Sequence, residues 1–413
     1  SLRRHENRWQ IAAQQLRGEL EGRPWPLPIM AMQVEESAIQ IALQQVVLDN
    51  LPAQLERFSP STELTAWLKT AAPGGFIKAL RMDLAATTEA GWGLSRLELD
   101  AHRLHLKATE KWPGAEGLSG WAVWTPQQAW LGLDTRNAQL DLAQVFREPV
   151  VVQQLRGQLR LRQREQDWVI DSSVLKVRNS DATGQAVAHI HIPRADPSAA
   201  TLSLRARLHQ GRVASAWRYV PWPQAGDKAL AWLREALQGG VVTQGDFLVE
   251  GAVHHRDDLP PLTVQMRFDV EQGRLNYAPE WPVLRDINGQ VYIEGHELGV
   301  MAKQVRLLEG SQGQRVMARI PDLKHPVLNI DGDVSSTGPD LMRLFQESPL
   351  RHVVGEVPEV LALEGALAGH LKLDIPIHDE LGHSDHAIPL VDVTATLPSN
   401  RLHIKSANLV ADN

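Results

Sequence analysis

Apolar and polar residues alternate with a period of two along almost the whole chain. In 263–270, the apolar residues Val264, Met266, Phe268 and Val270 are separated by single polar residues. Successive side chains of a β-strand point to opposite faces, so this pattern predicts a strand with one apolar face and one polar face. The same alternation occurs in 201–208, 371–377 and 390–397, and around Leu97–Leu106, Leu155–Leu161, Val187–Ile192 and Val327–Val334.

Helical periodicity is confined to a few short segments. The clearest is 226–238, where leucines recur on one face and Gly239-Gly240 provide a stop signal. Shorter candidates are 61–71 and 338–346, the second with Pro339 in its first turn, and a weaker one is 138–146. We therefore predict a mostly β chain of about 25 strands with too little helix to cover a sheet.

The apolar face of such a sheet must be hidden from water. A second sheet packed against it gives a β-sandwich or a barrel. A long, curled and twisted antiparallel sheet instead leaves an apolar groove that binds lipid chains. The alternation is the same in both architectures, so the pattern by itself leaves both open.

Composition excludes several classes of protein. The 42 Lys and Arg residues against 49 Asp and Glu residues give a net charge of −7, which argues against nucleic-acid binding. With no cysteine, the chain has no thiol catalysis, disulfide or cysteine-based zinc site. No apolar run reaches the roughly 18–20 residues that span a bilayer. Because the chain opens at Ser1 inside an amphipathic pattern, we expect a piece of a longer protein whose anchor lies elsewhere.

Two clusters of histidines and carboxylates invite interpretation as metal sites. One is His254, His255, Asp257 and Asp258, and the other lies in 378–386. Neither follows a known zinc-ligand spacing, so solvated hairpin loops are the better interpretation.

Carboxylates and motifs elsewhere give no catalytic or metal prediction. Asp331 and Asp333, with Asp340 nearby, lack the spacing of a calcium loop and are interpreted as a turn. No GxSxG, P-loop or dinucleotide-binding motif occurs. We predict no enzyme, no catalytic residue, no metal ligand and no cofactor, although a carbohydrate-active protein stays a third hypothesis because two strands can bring carboxylates together.

An internal echo links distant parts of the chain. Trp112-Pro113 is followed by Leu118 and Gly120, and Trp281-Pro282 is followed by Ile287 and Gly289 at the same spacing. Looser copies are Leu155-Arg156-Gly157 and Leu363-Glu364-Gly365. The echo predicts a repetitive sheet without a strict repeat period.

Tryptophans stand next to proline at four predicted loop-to-strand junctions. An amphipathic Trp can line a groove edge and contact lipid headgroups, but filling a corner where strands cross is the simpler interpretation. The four are Trp25, Trp112, Trp222 and Trp281.

Short motifs rich in Trp, Gly and Pro recur between Tyr219 and Ile377. They are Tyr219-Val220-Pro221, Ala231-Trp232-Leu233, Ala236-Leu237, Gly239-Gly240, Gly245-x-Phe247, Gly251, Gly273-x-Leu275-x-Tyr277, Trp281-Pro282, Ile320-x-Asp322-Leu323, Ser348-Pro349-Leu350 and Leu373-x-Ile375-Pro376. This set resembles the YhdP family of AsmA-like envelope proteins. The earlier part of the chain is similar but less distinctive, and Asp258-Leu259-Pro260 departs from the family pattern, which tends to carry an aromatic residue there.

The resemblance implies a TamB-related, bridge-like lipid-transport protein of the bacterial envelope. Its long periplasmic β-groove is anchored to the inner membrane by an N-terminal helix absent from this chain. The implied function is to move phospholipid between the inner and outer membranes, which supports the outer-membrane permeability barrier. The alternative is an envelope assembly scaffold that binds protein partners along its strand edges.

On this basis we expect 1–413 to be one elongated groove segment, with 1–218 its first part and 219–413 its most family-like part. The apolar stripes are predicted to contact acyl chains, and an ordinary dry core is the alternative. Arg205, Arg207 and Arg267 alternate with the stripes and are expected on the solvated face. The predicted lining residues are Leu202, Leu204, Leu208, Val264, Met266, Phe268, Val270, Leu371, Leu373, Val391 and Val393.

Overall fold

The structure is a computed structural model. It describes residues 1–6, 8–14, 17–20, 23–26, 28–49, 69–87, 91–109, 113–351, 361–376, 390–396, 401–404 and 409–412. Within these residues the chain is mostly antiparallel β-sheet with a few short helices, which confirms the predicted fold class. It divides into two compact units, the first formed by Ser1–Ala206 and Glu250–Leu262 and the second by Arg207–Val249 and Thr263–Asn413.

The strands follow the alternating segments of the sequence. Those of the first unit are β1 Leu2–His5, β2 Arg8–Ala13, β3 Arg17–Leu20, β4 Arg23–Pro26, β5 Ile29–Val34, β6 Ala38–Val47, β7 Gly74–Ala86, β8 Trp92–Leu106, β9 Gly114–Thr125, β10 Gln128–Asp141, β11 Val150–Gln163, β12 Asp167–Ser172, β13 Leu175–Arg178 and β14 Ala182–Pro193. Two strands contribute residues to both units, β15 Thr201–Arg212 and β16 Leu237–Ala252. Those of the second unit are β17 Thr263–Leu275, β18 Leu284–Glu294, β19 Glu297–Leu308, β20 Ser311–Ile320, β21 Val327–Thr337, β22 Leu361–Glu364, β23 Ala366–Pro376, β24 Leu390–Thr396, β25 Arg401–Ile404 and β26 Leu409–Asp412.

Two α-helices of the second unit confirm the helices predicted at 226–238 and 338–346. They are α1 Trp222–Ala236 and α2 Gly338–Glu347. At the start of α2, the Thr337 hydroxyl accepts a hydrogen bond from the backbone N–H of Asp340, which satisfies one of the free donors of the first turn. Short 3-10 helices span Pro197–Ala199 and Val213–Tyr219.

The helix predicted at 138–146 is wrong. Strand β10 continues to Asp141, and turns follow it. The backbone of Gln139 and Leu140 pairs with β11, and this ladder outweighs a weak helical spacing. For the candidate at 61–71, residues 61–68 lie outside the described residues and 69–71 are helical.

The stop signal predicted at Gly239-Gly240 is also wrong, because α1 ends at Ala236 and both glycines lie in β16. Gly240 has φ +111°, and a Cβ added there would lie 2.7 Å from the Cα of Gly273 on β17. Gly240 therefore serves a close approach of two strand backbones, a need that local sequence does not reveal.

Strand pairing is antiparallel and mostly sequential in each unit. In the first unit the order runs β1-β2-β5-β6-β7-β8-β9-β10-β11, after which β12 and β13 both pair with β11 and with β14. In the second unit the order runs β17-β18-β19-β20-β21-β23-β24, and β22, β25 and β26 form a separate small sheet.

A line of β-bulges crosses the second unit. Gln272, Asp286 and Arg315 have φ between 50° and 53°, and each lies at a register shift of its strand. A bulge bends its strand and increases the local twist. Bulges on β17, β18 and β20 at neighbouring positions therefore curl the sheet of this unit.

The first unit has bulges of the same kind. Arg103 on β8 and Asn137 on β10 have φ 51° and 55° and lie where the register shifts. Close to this level, the buried residues Ala138, Val152 and Leu155 form a small packed core. The bent ends of β10 and β11 are thus the best-packed part of this unit.

The bulges explain the echo in the sequence. The backbone N–H of Arg103 donates to Ser119 Oγ at 3.0 Å, and that of Gln272 donates to Asn288 Oδ1 at 2.9 Å. Ser119 and Asn288 each precede the echoed glycine, Gly120 or Gly289. A Cβ on Gly120 would lie 2.1 Å from the carbonyl oxygen of Gly132, and one on Gly289 would lie 2.3 Å from that of Met301. The echo therefore marks the same local structure in two places, a bulge whose N–H binds the side chain that precedes a tightly packed glycine.

We expect Thr135→Val to destabilise the first unit by about 1–3 kcal/mol, because a buried polar group is left without its partner. Thr135 is fully buried. Its Oγ1 accepts a hydrogen bond from the Ser119 N–H at 2.9 Å and donates one to the Ser119 carbonyl oxygen at 2.8 Å. Urea unfolding followed by circular dichroism measures the loss. Thr183→Val on β14 is the control, since Thr183 is half-buried without a side-chain hydrogen bond to the described residues. Equal losses in both variants would contradict the role of Thr135.

Candidate functional site

Pairing register in the first unit aligns apolar residues across the sheet. Residues directly opposite each other in an antiparallel pair place their side chains on the same face. Ile11 on β2 faces Met32 on β5, and this relation continues strand by strand to Ile190 on β14. The complete row is Leu2, Ile11, Met32, Ile41, Met82, Leu97, Trp124, Ala129, Leu161, Ile170 and Ile190.

A second apolar row runs beside the first and is displaced from it by two residues on each strand. It consists of Ala13, Met30, Leu43, Leu80, Leu99, Ala122, Leu131 and Leu159. One row on the opposite face is polar and consists of Gln10, Gln33, Gln40, Asp83 and Arg96. The row beside it is mixed and consists of Ala12, Ala31, Ala42, Arg81, Glu98, Val123 and Trp130. The first unit therefore carries a continuous apolar face opposite a more polar one.

The second unit has the same arrangement over seven strands. Its central row is Phe268, Val291, Val300, Ala318, Ile330, Leu373 and Val391. The neighbouring row on the opposite face is Arg267, Tyr292, Gly299, Arg319, Asn329 and Asp374. In these two rows the register separates apolar from polar side chains, although Met301 and Met317 are exposed on the polar face.

The apolar rows of the two units are half-buried. In the central row of the second unit, every side chain from Phe268 to Leu373 is of intermediate exposure. Leu131 in the first unit is 39% exposed. Among the described residues, the largest side chains with less than 2% exposure are Val152, Val169, Thr135 and Ser348, none of which belongs to these rows. These rows therefore keep part of their apolar surface accessible.

Most predicted lining residues lie on such half-buried stripes. Leu202, Leu204 and Leu208 are half-buried on β15, as are the four residues of β17 and Leu371 and Leu373 on β23. The register places the residues of β17 on the same face as those of β23. Val391 and Val393 pair with Leu373 and Leu371 by backbone, and their side chains lie outside the described residues.

Sequence reasoning missed the apolar face on strands β1 to β14 of the first unit. None of the predicted lining residues lies in β1 to β14, although the rows there are longer than those of the second unit. The signal was present as the same alternation in 75–86 and 92–106, for example in Leu80 and Leu99. What was hidden is that cross-strand register joins these separate alternations into one surface.

The tryptophan–proline junctions differ from one another. Trp281 lies just before β18 with its ring 6.0 Å from that of Tyr277, as expected at a loop-to-strand junction. The junction predicted at Trp222 is wrong, because this residue begins α1 and is 37% exposed. The backbone of Trp25 lies in β4, and Trp112 lies outside the described residues.

The loop predicted from the histidines at 254 and 255 is confirmed, since 253–262 connects β16 to β17. Arg256 in this loop binds Asp196, and its Nη2 lies 2.7 Å from Asp258 Oδ2. Residues 377–389, with the second histidine cluster, lie outside the described residues. In the described part of the chain, no group of three or more His, Asp or Glu side chains is arranged to hold a metal ion.

The turn predicted at Asp331-Gly332-Asp333 is wrong, because these residues lie in the middle of β21. Both carboxylates have cross-strand partners on the polar face: Asp331 lies 3.7 Å from Lys372 Nζ, and Asp333 binds Arg315. Gly332 falls on the apolar side, where an added Cβ would lie 2.9 Å from a methyl group of Val316. The glycine is needed for this contact and not for a turn.

His370 joins these two carboxylates. Its Nε2 lies 3.2 Å from Asp331 and its Nδ1 lies 3.0 Å from Asp333. The hydrogen bond to Asp333 raises the pKa of His370 above its ordinary value, and the charge of Asp331 adds to this. The same hydrogen bond, together with Arg315, lowers the pKa of Asp333.

One further concave feature lies on the polar face of the first unit. Ser119 Oγ and His102 Nδ1 are 3.3 Å apart there, a pairing also found in nucleophilic catalysis. The nearby Asp134 accepts from Arg156 Nε at 2.8 Å, and no carboxylate among the described residues orients His102. The Oγ of Ser119 instead accepts the bulge hydrogen bond described above.

No helix of the described residues has both the length and the apolarity to cross a membrane.

Stability should depend on pH through His370. The pKa of His370 in the folded state is raised above about 6.5. The stabilisation that its ion pairs give the fold is therefore complete below that pH and is lost as the pH rises through the folded-state pKa. Asp333 acts oppositely, since its lowered pKa gives a contribution that is lost as the pH falls below its ordinary range. We therefore expect His370→Gln to flatten the fall in the urea midpoint above pH about 6.5.

The matched control is His209→Gln, since His209 is exposed on β15 and has no ion pair with the described residues. This variant should keep the pH dependence of the parent chain. An unchanged slope in His370→Gln would show that its ion pairs contribute nothing to folding.

Comparison with known proteins agrees with this geometry. A protein-family model described as "YhdP protein" matches residues 1–413. Among curated proteins, the chain is similar to the "Intermembrane phospholipid transporter YhdP" of Escherichia coli strain K12, with 23% identity over 431 residues that cover 98% of this chain. The chain spans 32% of the length of that relative. No solved structure gives a significant match. Since the family model covers the entire chain, the chain belongs to the YhdP family.

Proposed function

We propose that this chain is a segment of a phospholipid conduit, and that acyl chains slide along its apolar faces. The observation that carries the proposal is the register. It joins apolar residues of eleven strands in one unit and seven in the other into continuous rows, and it leaves those rows half-open. Half-open apolar surface favours an apolar occupant.

The energetics suit movement along the rows. Each buried CH₂ group contributes roughly 0.8 kcal/mol, so an acyl chain against several rows is held firmly. The hydrophobic effect is non-directional, so an acyl chain that leaves the apolar surface of one strand meets an equivalent surface on the next. Transit therefore needs no deep site, whereas tight local binding would slow it.

The relative's printed name, an intermembrane phospholipid transporter, supports phospholipid as the lipid class. Because this chain spans 32% of that protein, it would form part of the route between the membranes. We place it in the periplasm, anchored to the inner membrane by a segment outside this chain, where it supports the outer-membrane barrier. A non-enzymatic role fits the family.

Photo-crosslinking tests whether lipid occupies the apolar face. With benzoylphenylalanine at position 266 or 267 of the full-length protein in living cells, we expect phospholipid adducts at Met266 and none at Arg267. The two residues are consecutive on β17, half-buried and exposed, respectively, so they sample opposite faces. Silence at both positions, with Met266 protected from reagents in water, would indicate a dry core and favour the scaffold hypothesis.

A single charge on the apolar face should reduce lipid binding. Val300→Asp places a carboxylate in the central row, where an acyl chain would have to desolvate it, so we expect bound phospholipid to fall about tenfold. The measurement is phospholipid phosphorus per chain after incubation with vesicles of phosphatidylethanolamine and phosphatidylglycerol. Met301→Asp is the control, because Met301 is 37% exposed on the opposite face. Equal effects of the two changes would contradict the proposal.

A further inference from the structure

Gly245 on β16 lacks the space for a side chain. A Cβ built on this residue would lie 2.8 Å from Cδ1 and 3.1 Å from Cε1 of Phe268, and 3.2 Å from Cβ of Leu208. All of these atoms belong to side chains on predicted lining positions. The ring of Phe268 therefore occupies the space that a side chain at 245 would take, on the apolar face of the second unit.

A second ring holds Phe268 in this position. Phe247, two residues beyond Gly245 on β16, meets the Phe268 ring edge to face with the centroids 5.0 Å apart and the planes at 78°. Aromatic pairs prefer this arrangement, which contributes beyond simple burial. In the described strands from β16 to β24, the only other aromatic side chain is Tyr292, and it lies on the polar face.

Neighbouring positions of the apolar rows are smaller. Across from Phe268 the row continues with Val291, Val300 and Ala318, so the two rings are bulkier than their neighbours on the apolar face. The height to which the two rings project above the sheet depends on whether the Phe268 ring can pack flat against the backbone of residue 245. Both rings are half-buried, so they remain open to an occupant of the face.

We propose that Gly245 is a positioning residue that sets the clearance of the apolar face at β16 and β17, so that an acyl chain can pass over the Phe247–Phe268 pair. The inference rests on the proposed lipid function and assigns a role to the Gly245-x-Phe247 motif. A β-branched residue at 245 would displace the Phe268 ring toward the space above the sheet, because close-packed groups cannot share a position.

A purely structural role predicts something different. Aromatic rings that cover a strand glycine stabilise sheets by supplying the packing that glycine itself lacks. If the role were purely structural, Gly245→Val would change only the stability of the fold and would not specifically alter lipid contact at β16 and β17. The φ of Gly245 lies outside the left-handed region, so valine, a strong strand former, is compatible with its backbone.

The experiment compares lipid adducts at two positions of the full-length protein in living cells. Benzoylphenylalanine replaces Met266 on β17, next to the ring pair, or Ile330 on β21, four strands away in the central row. In Gly245→Val we expect phospholipid adducts at 266 to fall about fivefold, and those at 330 to stay within about twofold, since the obstruction is local. Adding Phe268→Ala should restore the adducts at 266, because it removes the displaced ring.

A matched control lies on the opposite face. A Cβ on Gly299 would lie 2.2 Å from the ring of Tyr292, so Gly299→Val displaces an aromatic ring toward solvent on the polar side. This variant should leave the adducts at both positions unchanged. Unaltered adducts at 266 in Gly245→Val, or a loss there that Phe268→Ala does not reverse, would overturn the role of Gly245. Absence of adducts at both positions in the parent protein would instead overturn the proposed function.

Discussion

The register of antiparallel pairing is the constraint on which the rest of this structure depends. Side chains alternate along each strand, so a slip of one residue between two strands would exchange the faces of all residues beyond the slip. The rows from Leu2 to Ile190 and from Phe268 to Val391 exist because no such slip occurs. Where a bulge inserts an extra residue, as at Arg103 and Gln272, a side chain on the next strand satisfies its N–H.

Half-burial links this register to the proposed function. An ordinary core hides its apolar side chains almost completely, and here that description fits small clusters such as Ala138, Val152 and Leu155. The long rows are only half-buried. A surface of this kind holds an apolar chain without selecting a point along the way, which is the property that a conduit requires. In our proposal, the packing of the Phe268 ring over Gly245 sets the clearance of this surface at β16 and β17.

Prediction from sequence succeeded where a local pattern decides the structure and failed where a neighbouring strand decides it. The alternation predicted β15, β17, β21, β23 and β24, and the helical spacing predicted α1 and α2. The roles of Asp331 and Gly240 were misinterpreted because each depends on a contact with a residue far away in the chain. Asp331 lies near Lys372, and Gly240 packs against the backbone of Gly273. A motif such as Asp-Gly-Asp has the same composition in a turn and in a strand.

By itself, the sequence determined that the chain is mostly β, that each strand has one apolar and one polar side, and that the short motifs of its second half resemble one family. These properties follow from the period of two and from residue identity, which are local. Only the tertiary structure decided which alternations join into one face, where the sheet bends, and which glycines serve a close contact. Those features depend on pairing between distant segments, because a hydrogen-bonded ladder is set by both of its strands.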